Sequence, residues 1–132
     1  RQWHAHLSEQ DAEVIEHGVT LAATVCIRAL RDGLASGFAA NLPMVGEPDN
    51  KPTLYLPEDG EAREEKLLAA FARLKILRAQ DFVAMLGDLK VYSGLDLLVL
   101  SCYDSEGIQN AIGELRRSGN QVTFQLFDGG GL

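Results

Sequence analysis

The stretch EHGVTLAATVCIRALRDG, residues 16–33, decides the fold that the sequence predicts. It is almost entirely small or apolar, it is too long for a strand, and charges interrupt it too often for a membrane span. Its apolar side chains recur at spacings of three and four residues, which indicates a helix, and Gly33 is expected to end it. Because the apolar face is unusually broad, we expect the helix to be sandwiched between a sheet and other elements, with little surface left for water.

The segment that follows predicts a hairpin. Residues 34–42 are short, apolar and placed directly after the helix end, which is typical of an αβ junction. Residues 43–60 hold all four prolines and predict an irregular surface loop. Within that loop the side chains of TLYL, residues 53–56, alternate in character, and prolines flank the segment. We therefore expect a short edge strand that pairs with residues 34–42.

The second half of the chain predicts alternating helices and strands. One helix is expected to begin near Glu61 and a shorter one after Asp81, which is placed to cap it. Residues 95–103 contain a near-continuous apolar run, which is typical of a central parallel strand buried on both faces. A helix with an apolar face follows, and residues 121–127 then alternate as an edge or near-edge strand does.

This order of elements predicts an α/β fold, a three-layer sandwich whose mostly parallel sheet carries helices on both faces. The 132 residues suit a single domain, residues 1–132. Residues 1–7 and 128–132 are expected to be flexible ends of that domain.

Charge and composition exclude several classes of protein. A net charge of −7 argues against a nucleic-acid partner, because phosphate contacts need a clustered basic surface. The densest basic group, Arg116 and Arg117, is at a predicted helix C-terminus, where cations favour the helix dipole. No apolar run is long enough to span a membrane. Cys26 and Cys102 lie in apolar runs, which favours buried reduced thiols in a cytoplasmic protein.

Several segments together resemble a known family. The segment EHGVTLAATVCIRALRDGLASGFAAN, the proline-rich loop, the helix EKLLAAFARL and the strands LDLLVLS and QVTFQLF follow the order of the bacterial "domain of unknown function 58" family over most of the chain. The core of that family is similar to a von Willebrand factor A domain, which implies a Rossmann-like sandwich. The resemblance also implies a protein-binding role as a partner of a MoxR-type AAA ATPase. Full-length relatives usually carry membrane helices, so the parent protein is expected to extend beyond this chain. Whether the parent protein has a membrane anchor outside this chain stays open.

The chain departs from that pattern in one respect. Related A domains bind a divalent metal through Asp-x-Ser-x-Ser after their first central strand, but this motif occurs nowhere here, and the strand is expected to lie before Arg1, outside the chain. The sheet would then have a gap between residues 34–42 and 95–103. Either these two strands pair directly or an edge stays open, and because open edges recruit other chains we expect a homodimer.

Polar residues at the predicted carboxyl edge of the sheet are the candidate site residues. Asn41 ends one strand, while Ser101 and Asp104 lie at the end of another. Their oxygen atoms would suit Mg²⁺ or Ca²⁺, so these three residues are the candidate metal ligands. The favoured expectation is that the chain binds no cofactor. Asn41, Asp104 and Ser105 are the candidate partner-binding residues. Asp104 or Ser105 is also the expected N-cap of the next helix.

Two functions stay open from the sequence. His4 and His6 have no third ligand at a defined spacing, and no serine lies in a nucleophile elbow. We therefore favour a non-catalytic interaction module that binds a protein partner at the carboxyl edge. The alternative is a metal-dependent hydrolase around Asp104, which would need a second converging carboxylate.

Overall fold

Four helices and four strands are interspersed along the described part of the chain. The computed structural model describes residues 9–76 and 79–127. In chain order the elements are α1 (Glu9–Arg31), β1 (Ser36–Ala40), β2 (Thr53–Glu58), α2 (Arg63–Ala72), α3 (Phe82–Asp88), a 3₁₀ turn (Leu89–Val91), β3 (Asp96–Ser101), α4 (Glu106–Arg117) and β4 (Gln121–Leu126). The predicted α/β class is confirmed for these residues, while the predicted flexible ends 1–7 and 128–132 lie outside them.

The end of α1 follows from its sequence. Gly33 adopts a positive φ of 83°, which other residues rarely adopt. The amides of Gly33 and Leu34 donate to the carbonyls of Leu30 and Ala29 at 3.0 and 2.9 Å. This Schellman motif satisfies carbonyl groups that the helix end would otherwise leave without a partner.

The burial of α1 is lower than predicted. Among its described side chains only Cys26 and Ile27 are buried, and Val25 is 44% exposed. The helix packs mainly on β1 and α2 and makes a smaller contact with β3. The expectation that α1 has little surface left for water is therefore wrong, because much of its remaining apolar face borders a groove described below.

The hairpin between β1 and β2 forms as predicted. The strands pair antiparallel, with Phe38 opposite Tyr55, and the register shifts at Gly37. A Cβ atom at Gly37 would overlap the carbonyl oxygen of Tyr55, so only glycine allows the two backbones to approach this closely. Arg63, at the start of α2, is 4% exposed and donates hydrogen bonds to the carbonyls of Ser36 and Leu56.

The carboxyl-terminal unit is a βαβ arrangement in which α4 joins two parallel strands. β3 and β4 pair in register from Asp96 opposite Gln121 to Ser101 opposite Leu126. Gly119, with a φ of 97°, ends α4 in the same way that Gly33 ends α1. The buried side chains of α4 are Ile108, Ala111, Ile112 and Leu115.

The strands form two separate sheets within the described residues. β1 pairs only with β2, and β3 pairs only with β4. The single, mostly parallel sheet expected from the sequence is not observed there. β3 is not buried on both faces either, since Asp96 and Leu98 on one face are exposed.

Each sheet has its own buried cluster. The amino-terminal cluster contains Cys26, Ile27, Leu67 and Phe71, with the Phe38 ring stacked on Phe71 at 4.0 Å between centroids. The carboxyl-terminal cluster joins α3, β3, α4 and β4 through Leu86, Val99, Ile108, Ala111, Ile112, Leu115 and Val122. No helix in the described ranges has the length and apolar character needed to cross a membrane.

Candidate functional site

The side chain of Ser101, at the carboxyl end of β3, stabilises the turn that follows the strand. Its hydroxyl donates to the carbonyl of Tyr103 at 2.6 Å and accepts from the Tyr103 amide at 3.2 Å. The side chain is 4% exposed. Both hydrogen-bonding roles of the hydroxyl are therefore used by the backbone two residues further on, which fixes the path of the chain as it leaves the strand.

Asp104 and Ser105 organise the start of α4. Ser105 is the N-cap residue, and its hydroxyl accepts from the Ile108 amide at 3.1 Å. Asp104 is exposed, and its carboxylate accepts from the Ser105 amide at 2.8 Å and from the Gln109 side chain at 2.9 Å. The capping role predicted for this pair is confirmed, with Ser105 as the cap and Asp104 as its support.

Asn41 joins the end of β1 to the segment before α3. Its side-chain oxygen accepts from the Gln80 amide at 2.8 Å, and its carbonyl accepts from the Ala79 amide at 3.2 Å. These bonds cross a long separation in sequence, so no local pattern could have predicted them. They hold the loop after α2 against the end of the hairpin.

The candidate residues are only partly brought together. Asn41 and Ser101 line one groove, whereas Asp104 is not among the residues that line it. Within residues 12–76 and 79–127, no three His, Cys, Asp or Glu side chains are grouped so that they could hold a metal ion. His4 and His6 lie outside the described residues.

The groove separates the two sheets, and we call it the inter-sheet groove. It has a volume of about 620 Å³. Its walls are residues 34–42, which include β1, and residues 95–103, which include β3. One apolar stripe of α1 also lines it, through Ile15, Val19, Ala22, Val25 and Ala29. The open-edge alternative is thus the one observed in the described chain, because β1 and β3 do not pair directly.

The chemistry of this groove is apolar. Asp96, at the start of β3, is the only Asp, Glu, Lys or Arg among the described residues that line it. Leu34, Val25 and Leu98 are 60%, 44% and 41% exposed. A chain with a net charge of −7 therefore carries an apolar surface that it leaves partly open to water, which is typical of a protein-binding site.

Cys26 lies on the α1 side of the groove as a structural residue. Its thiol donates to the carbonyl of Gly37 at 3.3 Å. Burial raises the pKa of the Cys26 thiol, so the group stays protonated at neutral pH. A protonated, buried thiol is a poor nucleophile, which argues against a cysteine-based reaction at this position.

Sequence reasoning missed two features of this region. The buried Arg63 follows an acidic segment, and nothing local distinguishes it from an exposed helix residue. The exposed apolar face of α1 around Val25 was expected to be covered. The predicted gap in the sheet between residues 34–42 and 95–103 could have indicated this exposure. A helix that packs over such a gap has no strand to bury its apolar face.

Comparisons with family models, with curated proteins and with solved structures found no match to this chain.

Proposed function

We propose that this chain is a non-catalytic protein-interaction module. The observation that carries the proposal is the inter-sheet groove, which is mainly apolar, has a volume of about 620 Å³ and lies between two strands that do not pair with each other. An apolar surface held open by well-packed elements on either side is suited to being covered by further polypeptide. Asn41, Asp104 and Ser105, at the carboxyl edge predicted from the sequence, are the residues that we propose as the docking rim.

The resemblance described above suggests the class of partner. A bacterial MoxR-type AAA ATPase is the partner that we propose, with the chain acting in the cytoplasm. The proposal includes a von Willebrand factor A-like three-layer sandwich, in which a further strand would lie between β1 and β3. The inter-sheet groove supports this arrangement, because it lies where such a strand would be.

A pulldown with the purified ATPase tests the proposal. The full chain is expected to retain the ATPase in at least one of the nucleotide-free, ADP and ATP states. Asp104→Arg is expected to weaken retention by about tenfold, because it reverses a charge at the docking rim. Asp49→Arg makes the same change in the exposed loop before β2 and should leave retention unchanged. Absence of binding in every nucleotide state would count against this partner.

The alternative function is a metal-dependent hydrolase around Asp104. It requires a second carboxylate beside Asp104, and the described residues supply no such pair with a third ligand. Calorimetric titration with Mg²⁺, Mn²⁺ and Ca²⁺ separates the two functions. Heat of binding that Asp104→Ala abolishes would favour the hydrolase, and no heat would favour the interaction module.

A further inference from the structure

We infer that Asp59–Gly60 is a site of spontaneous covalent modification, at which the folded chain converts Asp59 to isoaspartate, and that the identical pair Asp32–Gly33 is protected. The inference is independent of the proposed interaction function. It rests on two dipeptides that have the same sequence and the same exposure to water but different backbone hydrogen bonds. A third pair, Asp128–Gly129, lies outside the described residues.

The reaction uses only the groups of the dipeptide and water. The glycine backbone nitrogen attacks the side-chain carboxyl carbon of the preceding aspartic acid, so that a C–N bond forms and a C–O bond breaks. The amide proton and the carboxyl hydroxyl leave together as water, and the product is a succinimide ring. Water that attacks the side-chain carbonyl of this ring restores aspartate, and water that attacks the backbone carbonyl gives isoaspartate. Glycine favours the first step because it has no Cβ atom beside its nitrogen.

The two pairs are alike in exposure and in the space around them. Both aspartates and both glycines are exposed. Gly33 and Gly60 adopt positive φ angles of 83° and 116°, and a Cβ atom at either position would meet no atom within 4 Å. Each pair therefore has room for the succinimide ring, so exposure and space do not distinguish them.

Backbone hydrogen bonds protect the Asp32–Gly33 pair. The Gly33 amide, whose nitrogen would attack, donates to the Leu30 carbonyl at 3.0 Å. The Asp32 amide donates to the Arg28 carbonyl at 3.0 Å, and the amide after Gly33 completes the Schellman motif described above. Three consecutive amides thus hold the backbone at this point. The nitrogen can reach the carboxyl carbon only after the end of α1 has opened.

The Asp59–Gly60 pair lacks this protection. It lies in the connection between β2 and α2. The Gly60 amide donates to no other residue of the described chain, whereas the Gly60 carbonyl accepts from the Arg63 amide at 3.1 Å. The attacking nitrogen is therefore available to the neighbouring carboxyl group in the folded state, without prior opening of a helix.

Isoaspartate at position 59 changes the connection that positions Arg63. The modified backbone runs through the former side chain and is longer by one carbon atom, and the former backbone carbonyl carbon becomes a free carboxylate. Arg63 is 4% exposed and donates to the carbonyls of Ser36 and Leu56. A longer connection between β2 and α2 weakens these bonds, so the isomerised chain is expected to unfold more readily than the unmodified chain.

The test follows both pairs in the full chain during incubation at neutral pH below the melting temperature. An endoproteinase that cleaves before aspartate but not before isoaspartate then leaves residues 49–80 uncut if position 59 has isomerised, and residues 11–48 uncut if position 32 has. Mass spectrometry separates isoaspartate, which leaves the mass unchanged, from the succinimide, which is lighter by one water. Fragment 49–80 is expected to accumulate at least about tenfold faster than fragment 11–48. Equal rates, or faster accumulation of fragment 11–48, would overturn the inference.

Incubation in concentrated urea tests whether the fold causes the difference. Circular dichroism checks that the chain is unfolded there, and both pairs then lack native hydrogen bonds and are expected to react at similar rates. A preference for position 59 that persists in urea would come from the neighbouring residues in sequence and would overturn the inference.

Two matched variants test the effect on stability. Asp59→Glu keeps the charge but lengthens the side chain, which disfavours ring closure, so its melting temperature should fall less during incubation than that of the wild type. Asp32→Glu makes the same change at the protected pair and should behave like the wild type during incubation. An equal fall in Asp59→Glu and in the wild type would contradict the effect assigned to isoaspartate at position 59.

Discussion

The two halves of the molecule use similar elements and bury them to different extents. In the carboxyl-terminal half, α4 packs against paired parallel strands and buries Ile108, Ala111, Ile112 and Leu115. In the amino-terminal half, the longer α1 buries only Cys26 and Ile27 among its described side chains. The difference follows from the inter-sheet groove, because part of the apolar face of α1 lies over this groove instead of over a strand. An apolar pattern therefore predicts which face of a helix can be buried, but not whether another element is present to bury it.

The largest expected difference between the halves concerns leucines on the two helices. Leu115 of α4 is 0% exposed, and Leu115→Ala is expected to cost about 3–4 kcal/mol of unfolding free energy through the cavity that it leaves. Leu30 of α1 is half-buried, and Leu30→Ala should cost about 1 kcal/mol. Urea unfolding followed by circular dichroism measures both. Equal costs would contradict this prediction, since they would mean that α1 is as well covered as α4.

A second prediction concerns the hairpin that forms one wall of the groove. Gly37→Ala is expected to cost about 2–3 kcal/mol, because the new Cβ overlaps the Tyr55 carbonyl and forces the strands apart. Gly87→Ala in α3 is the matched control, since a Cβ there meets no atom within 4 Å, and it should stabilise the protein slightly. Thermal unfolding of the two variants makes the comparison. A neutral Gly37→Ala would show that β1 and β2 pair less closely than described.

Sequence patterns predicted the parts of the fold that depend on local chemistry. The glycine ends of α1 and α4, the Asp81 cap of α3 and the β1–β2 hairpin all come from residues near one another in the chain. The absence of pairing between β1 and β3 in the described chain depends on residues far apart in sequence. For the same reason the bond between Asn41 and the Gln80 amide was not predicted, although Asn41 itself was singled out.

A buried arginine and an exposed one should also differ in their contribution to stability. Arg63 is buried and donates to the carbonyls of Ser36 and Leu56, so Arg63→Met leaves two acceptors without a partner and is expected to cost about 2 kcal/mol. Arg73 also donates to a carbonyl, that of Val45 at 2.9 Å, but it is exposed. Arg73→Met should therefore cost less than about 0.5 kcal/mol, since water replaces the lost donor. Chemical denaturation of the two variants under the same conditions is the measurement, and similar costs would contradict the burial of Arg63.

The smallest expected effect concerns the ion pair between α1 and α2. Arg31 donates to Glu64 at 3.0 Å, and this hydrogen bond lowers the pKa of the partly exposed Glu64 carboxyl. A lowered pKa in the folded state gives stability that is present above the unfolded pKa and is lost as the pH falls through the folded value. Glu64→Gln should therefore lower the melting temperature slightly at pH 7 and not at all in acid. A difference that persists in acid, or in about 1 M salt, would show that the pair is not responsible.

Amide hydrogen exchange along β3, measured by NMR on the full chain, shows whether the edge of β3 that faces the inter-sheet groove is open. If the edge of β3 that faces the inter-sheet groove is open, the amides of Leu98 and Leu100 exchange at least about a hundredfold faster than those of Leu97 and Val99, which face β4. Slow exchange at all four amides in the free chain would contradict the account, because it would mean that this edge is already paired.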